Sequence, residues 1–203
     1  MNNLEELSQQ LNKLCNGDIV KINIHFNISG DLLNLCESIN NNINQHALGL
    51  IHFGIKSIVM PHISIYMGYI KSFEQFELIL QEVSGFANIT KSFRIDPTQL
   101  YLKSITESSP KYLFLDLLQN HEITEYKKYF CNLFENRIKP MEWDFLKEPP
   151  HITLGCYTGI TNIAIKEIEK YHEFPFCQIE DIGVSISGKK GVCLGNLKSF
   201  KLL

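Results

Sequence analysis

Two five-residue segments of this chain are nearly identical, Pro61-His62-Ile63-Ser64-Ile65 and Pro150-His151-Ile152-Thr153-Leu154. Each reads as a strand, because proline biases the residue before it away from helix and the residues after it are rich in β-branched side chains. Side chains two apart on a strand share a face, so His62 lies beside Ser64 and His151 beside Thr153. Ile63, Ile65, Ile152 and Leu154 then turn to the opposite, apolar face. If the two strands lie side by side in a pseudo-symmetric body, two imidazoles and two hydroxyls meet in one groove. Chance alone supplies roughly 0.7 His-x-Ser/Thr matches in a chain with this many histidines. The shared proline, the shared apolar positions and the placement in separate halves set this pair apart from chance.

The flanking sequence repeats the same order of elements. Ile19–Phe26 alternates apolar and polar residues, predicting a half-buried strand, and the spacing of Leu32, Leu35, Cys36, Ile39 and Ile43 predicts a helix over 31–44 with Asp31 at its N-cap. His62–Ile70 is the next strand, followed by a Ser72-x-x-Gln75 capping box and a helix bearing Phe73, Phe76, Ile79, Leu80 and Val83. Residues 91–102 and 111–118 read as a hairpin-like pair joined by Thr106–Pro110, and 122–138 as a helix. The second half then runs from the strand His151–Tyr157 to a helix ending near His172 and two strands, 179–186 and 192–203, about a Ser187–Gly191 turn. The total is near four helices and seven or eight strands, with no Gly-, Ser- or Pro-rich linker. The 203 residues therefore read as one domain of two joined lobes.

Paired imidazoles suit phosphodiester chemistry. A histidine of ordinary pKa, about 6.5, is neutral or protonated near neutral pH, so one ring takes a proton from the nucleophile while the other gives one to the leaving oxygen. Ser64 and Thr153 hydroxyls can donate to non-bridging phosphate oxygens, and the scheme calls for no metal or other cofactor. The net charge of −3 argues against a protein that grips long duplexes by their backbone, and favours a nucleotide, a short RNA or an RNA end. No secretory signal or membrane-length apolar run stands out, predicting a cytoplasmic protein without membrane attachment. Cys15, Cys36, Cys131, Cys156, Cys177 and Cys193 lack C-x-x-C spacing and read as reduced, mostly buried thiols.

The two H-x-S/T-x segments resemble the signature of the two-histidine phosphoesterase superfamily, which holds the 2′–5′ RNA ligase-like proteins and cyclic phosphodiesterases. The resemblance covers the chain from Ile19 to near Leu203 and implies an α+β, bilobal, pseudo-twofold fold, with two antiparallel sheets around a central cleft and helices outside. It implies His62 and His151 as the acid and base, in unassigned order, Ser64 and Thr153 as phosphate-binding hydroxyls, and hydrolysis of 2′,3′-cyclic phosphates or 2′–5′ phosphodiesters. The same residues also suit a cyclic nucleotide or oligonucleotide hydrolase, and the non-enzymatic rival is a module that binds nucleotides or RNA ends. Ser64 stands where threonine is more usual, a mild change. Gly155-Cys156 follows the second motif where ligase-like members often carry a basic residue, so ligation is not carried over.

Tyr66, two residues past Ser64, should share its face and could line the cleft or stack on a base, the other reading being ordinary packing. Trp143, in the loop before the second motif, is a candidate base-stacking lid. His25, His46, His52, His121 and His172 show no metal-ligand spacing and read as ordinary surface or core histidines; Lys189-Lys190 reads as a solvated turn. Nothing points to assembly, so a monomer is expected.

Overall fold

The computed structural model describes residues 3–54, 58–104, 110–141, 146–189 and 192–203. Its helices are α1 (Asn3–Cys15), α2 (Gly30–Asn44), α3 (Phe73–Ala87), α4 (His121–Phe134) and α5 (Asn162–Ile168). Its strands are β1 (Val20–Asn27), β2 (Ala47–Gly49), β3 (His62–Ile70), β4 (Phe93–Ile95), β5 (Leu100–Ser104), β6 (Lys111–Asp116), β7 (Lys139–Pro140), β8 (His151–Ile160), β9 (Cys177–Ile179), β10 (Asp181–Ser187) and β11 (Cys193–Lys201). The class is α+β, and every strand pair is antiparallel.

Seven strands run in the order β11-β10-β1-β3-β8-β6-β5, with β2 beside β8 and β7 beside β3. The sheet is continuous, yet its halves meet at one residue pair, Ile63 with Ile152. Around that junction the two halves repeat each other, including an irregularity. On one side His25 pairs with Ser64 and Ile24 with Tyr66; on the other Phe114 pairs with Thr153 and Leu113 with Gly155. Each motif strand thus carries a bulge one residue after its hydroxyl, and each bulge reverses the alternation of side chains beyond it.

The apolar faces of both motifs point into the core. Ile22, Ile24, Phe26, Ile63, Ile65, Ile152 and Leu154 are fully buried. Aromatic rings fill the space under α3 and α4, with Phe86 and Phe130 centroids 4.9 Å apart and Phe26 and Phe93 5.1 Å apart. The capping box forms as its sequence predicts at one end: Ser72 Oγ accepts from Gln75 N, while Gln75 Oε1 reaches back to Lys71 N, one residue before the cap.

The differences from the sequence reading have local causes. Pro97 cannot donate to a ladder, so the single strand expected over 91–102 breaks into β4, which leaves to pair with β9, and β5. The expected strand 179–186 divides likewise, at Glu180. The α4 helix stops at Phe134, and Ile138, expected to end it, is a buried residue of the following turn. Ser29 rather than Asp31 occupies the N-cap of α2. Helix α1 and the short strands β2 and β7 were not foreseen, and all of the predicted Thr106–Pro110 turn but Pro110 lies outside the described residues.

Asn40, fully buried on α2, ties the approach to the first motif to the back of the second. Its Nδ2 donates to the Leu154 carbonyl (2.7 Å) and the Ile51 carbonyl (3.0 Å), and its Oδ1 accepts from Phe53 N (3.0 Å). Asn40→Ala strands the Phe53 N–H and the Leu154 carbonyl in the interior. The expected loss is about 2–4 kcal/mol of stability in urea denaturation, and a change under 1 kcal/mol would contradict this account.

Candidate active site

Continuing the Ile63–Ile152 register by one residue each way sets His62 opposite Thr153 and Ser64 opposite His151. Residues opposite each other on paired strands share a face, so all four polar motif residues lie on the face away from the core. The two histidines occupy one diagonal of this group, about 7–8 Å apart at the backbone.

Both rings are anchored in the same way. His62 Nδ1 lies 2.9 Å from the Met60 carbonyl and His151 Nδ1 lies 2.8 Å from the Pro149 carbonyl, in each case two residues upstream. A carbonyl only accepts, so Nδ1 carries the hydrogen and each neutral ring presents a bare Nε2. The motif proline explains the recurrence, because it holds the residue before it extended and so directs that carbonyl beneath the ring. The approach to His151 is fixed at three successive carbonyls. Lys127 Nζ bonds that of Glu148, His151 takes that of Pro149, and Leu117 N donates to that of Pro150 (3.1 Å).

The surroundings of the two rings differ. His62 is 7% exposed; burial, chiefly, drops its pKa to about 4, with the Met60 hydrogen bond opposing and His151 adding to the fall. Its Nε2 meets two donors, Asn23 Nδ2 at 3.2 Å and the Cys193 thiol at 3.3 Å. Burial raises the Cys193 pKa to about 12, which keeps the thiol protonated and able to donate. Asn23 Nδ2 also donates to Ser64 Oγ (2.8 Å), and the buried His25 ring packs 5.1 Å from the His62 ring. His151 lies beside an aromatic ring instead, its centroid 4.0 Å from that of Phe114. Its pKa is also lowered, first by burial, against the Pro149 hydrogen bond and the nearby Glu148.

Tyr66 does not line the cleft. The bulge after Ser64 turns it to the core face, where it is 2% exposed and its ring packs 5.0 Å from that of Phe134. Strict alternation from Ser64 misplaces it for that reason. The second bulge explains Gly155: the Tyr157 hydroxyl fills the space above it, and any Cβ would collide. Trp143 and Lys190 lie outside the described residues. Four of the six thiols are buried, Cys131 is partly so and Cys15 is exposed; no disulfide joins any of them. Among the described residues no three His, Cys, Asp or Glu side chains are grouped to hold a metal ion, and no helix is long and apolar enough to cross a membrane.

The sequence reading gave Asn23, His25 and Cys193 no role in the site. Asn23 and His25 sit on the polar side of an alternating strand, which ordinarily means solvent, yet β1 is central and covered on both faces. Asn23 is 0% and His25 1% exposed.

No family model matches the chain, and no curated protein sequence does. Solved structures do. Escherichia coli LigT in its apo form superposes with a TM-score of 0.59 at 10% identity, over 91% of this chain and 98% of LigT. TT0787 of Thermus thermophilus gives 0.57 at 14%, over 90% and 97%. This chain shares the α+β fold of LigT and TT0787. Kluyveromyces marxianus Usb1, solved with uridine monophosphate, gives 0.50 at 12%, over 90% of this chain and 97% of Usb1.

Proposed function

We propose that this chain is a two-histidine phosphodiesterase that cleaves 2′,3′-cyclic phosphate or 2′–5′ phosphodiester bonds of nucleotides or RNA ends. One observation carries the reading: two histidines, each held as the Nδ1–H tautomer by the carbonyl two residues upstream, stand diagonally on one face with a hydroxyl opposite each. One Nε2 that can take a proton and another that can give one, beside paired hydroxyls, are what in-line displacement at phosphorus requires. The fold likeness supports it, since E. coli LigT has been solved with 3′-AMP and with phosphate, and Usb1 with uridine monophosphate.

His62 is the base and His151 the acid in the cleavage direction. With its pKa dropped to about 4, chiefly by burial, the His62 ring is bare near neutral pH, and its Nε2 already accepts from two donors at long distances that a nucleophile can displace. A water attacking a cyclic phosphate, or the ribose hydroxyl next to a 2′–5′ linkage, passes its proton to His62 Nε2 as its oxygen bonds phosphorus. The bond to the leaving oxygen breaks as that oxygen takes the proton from His151 Nε2. Ser64 and Thr153 donate to the non-bridging oxygens, where charge grows in the transition state.

The test is incubation of the protein in EDTA with 2′,3′-cyclic nucleotides, 2′–5′ and 3′–5′ oligoadenylates and cyclic dinucleotides, with products separated by chromatography. Turnover of the cyclic phosphates or 2′–5′ oligomers is expected. Turnover confined to cyclic dinucleotides would move the substrate class, and silence across the panel would leave a binding module.

A further inference from the structure

The two halves repeat each other closely enough that their departures from symmetry stand out. Counting from the shared bulge, the neighbour strand β1 places Asn23 opposite Met67, five residues past His62. The corresponding strand β6 places Tyr112 opposite Cys156, five residues past His151. Asn23 and Tyr112 are therefore counterparts, as are His25 and Phe114. One half carries a buried amide and an imidazole where the other carries two aromatic rings.

We infer that Asn23 is a positioning residue that breaks the symmetry of the site, holding His62 Nε2 as a proton acceptor and turning the Ser64 hydroxyl hydrogen toward the phosphate. The amide orientation follows from chemistry already described. Met60 takes the Nδ1 hydrogen, so His62 Nε2 offers only a lone pair, and of the two ends of the amide only the NH₂ can meet it. That same nitrogen donates to Ser64 Oγ at 2.8 Å. With a lone pair of Oγ engaged, the hydroxyl hydrogen is left to point elsewhere, and the cleft is where the other motif side chains gather. The amide oxygen takes part in no hydrogen bond among the described residues although it is buried. The side chain thus forgoes a partner for its oxygen to keep its nitrogen between the histidine and the serine. Tyr112 offers no such amide to His151, whose Nε2 has no partner among the described residues and is free to carry a proton.

The inference deepens the phosphodiesterase reading of this site, but its test does not need turnover. Among the described residues the groups facing His62 are His25 on β1, Cys193 on β11 and His151 on β8, and only Asn23 bonds both motif residues. Histidine nitrogens are followed by NMR across pH in the wild type, Asn23→Ala and the near-isosteric Asn23→Asp, with His62→Ala and His151→Ala used to assign the signals. In the wild type His62 is expected as the Nδ1–H tautomer. Asn23→Ala removes a donor that serves only the neutral ring, so the His62 pKa rises; a carboxylate in Asn23→Asp raises it further, by about one to three pH units. His151 is expected to move less than His62 in both.

An Nε2–H tautomer in the wild type would overturn the inference. So would an unmoved His62, or equal shifts at both histidines, which is what general loosening produces. A second arm measures binding of inorganic phosphate to Asn23→Ala, Ser64→Ala and the double variant. The double variant should bind about as weakly as Ser64→Ala alone, because Asn23 acts through Ser64; additive losses would refute that link. If these arms behave as expected while the substrate panel stays silent, the positioning role stands and the phosphodiesterase reading falls.

Discussion

His62→Ala and His151→Ala are each expected to lower turnover of the phosphodiester by about 10²- to 10⁴-fold, the range for losing a positioned acid or base. Each deletion removes a proton transfer that the other ring cannot supply. His62 Nε2 is bare and His151 must arrive protonated, and each Nδ1 is committed to a backbone carbonyl. The pair acts as a unit, so the double variant should fall little below the worse single variant. The losses should appear in kcat more than in substrate binding, since both hydroxyls remain to hold the phosphate. His62 calls for a folding control. Its removal leaves Asn23 and Cys193 facing an empty interior position, and an unchanged thermal midpoint for His151→Ala beside a modest drop for His62→Ala is the expected pattern. Residual activity above a tenth of wild type in both variants would sink the acid–base assignment. Ligand binding that survives both substitutions, with no turnover by the wild type, would favour a binding module.

Much of this arrangement was legible from ten residues. The two motifs gave their strands, the face that carries the chemistry and the apolar face that anchors it, because period-two alternation holds from each histidine to its hydroxyl. What lay one step further was hidden for two physical reasons. A bulge costs one residue of register and cannot be read from hydropathy, so Tyr66, expected on the face of Ser64, lies on the core face and packs there. Burial on both faces of a central strand cannot be read from alternation alone, so the burial of Asn23 and His25, on the polar side of β1, was not legible. Cys193 meets His62 only because β11 closes the edge of the first half and a bridge between Val59 and Leu194 draws the segment before His62 toward it. Such a contact joins residues far apart in sequence with no shared pattern to announce it. The same logic explains Gly155: its role became visible only when the second bulge showed which side chain fills the space above it.

The pH dependence of kcat/KM should be a bell whose optimum lies below pH 6.5. This quantity reports the free enzyme, for which the two pKa displacements apply directly. The base works only when neutral. The His62 pKa of about 4, set mainly by burial, means activity climbs through pH 4 and no longer gains from deprotonation above about pH 5. The acid works only when protonated, and burial holds the His151 pKa below its usual 6.5, so activity falls about tenfold per pH unit above that lowered value. By pH 8 the free enzyme should have lost well over an order of magnitude relative to its optimum. Bound substrate changes the second limb but not its direction. A phosphodiester anion beside the imidazolium favours the charged ring, so the alkaline limb of kcat should lie at higher pH than that of kcat/KM. His151→Ala should erase the alkaline limb and His62→Ala the acid limb, each from what activity remains. An optimum for kcat/KM above pH 7, or an alkaline limb that survives in His151→Ala, would require the roles of the two histidines to be exchanged or another group to supply the proton.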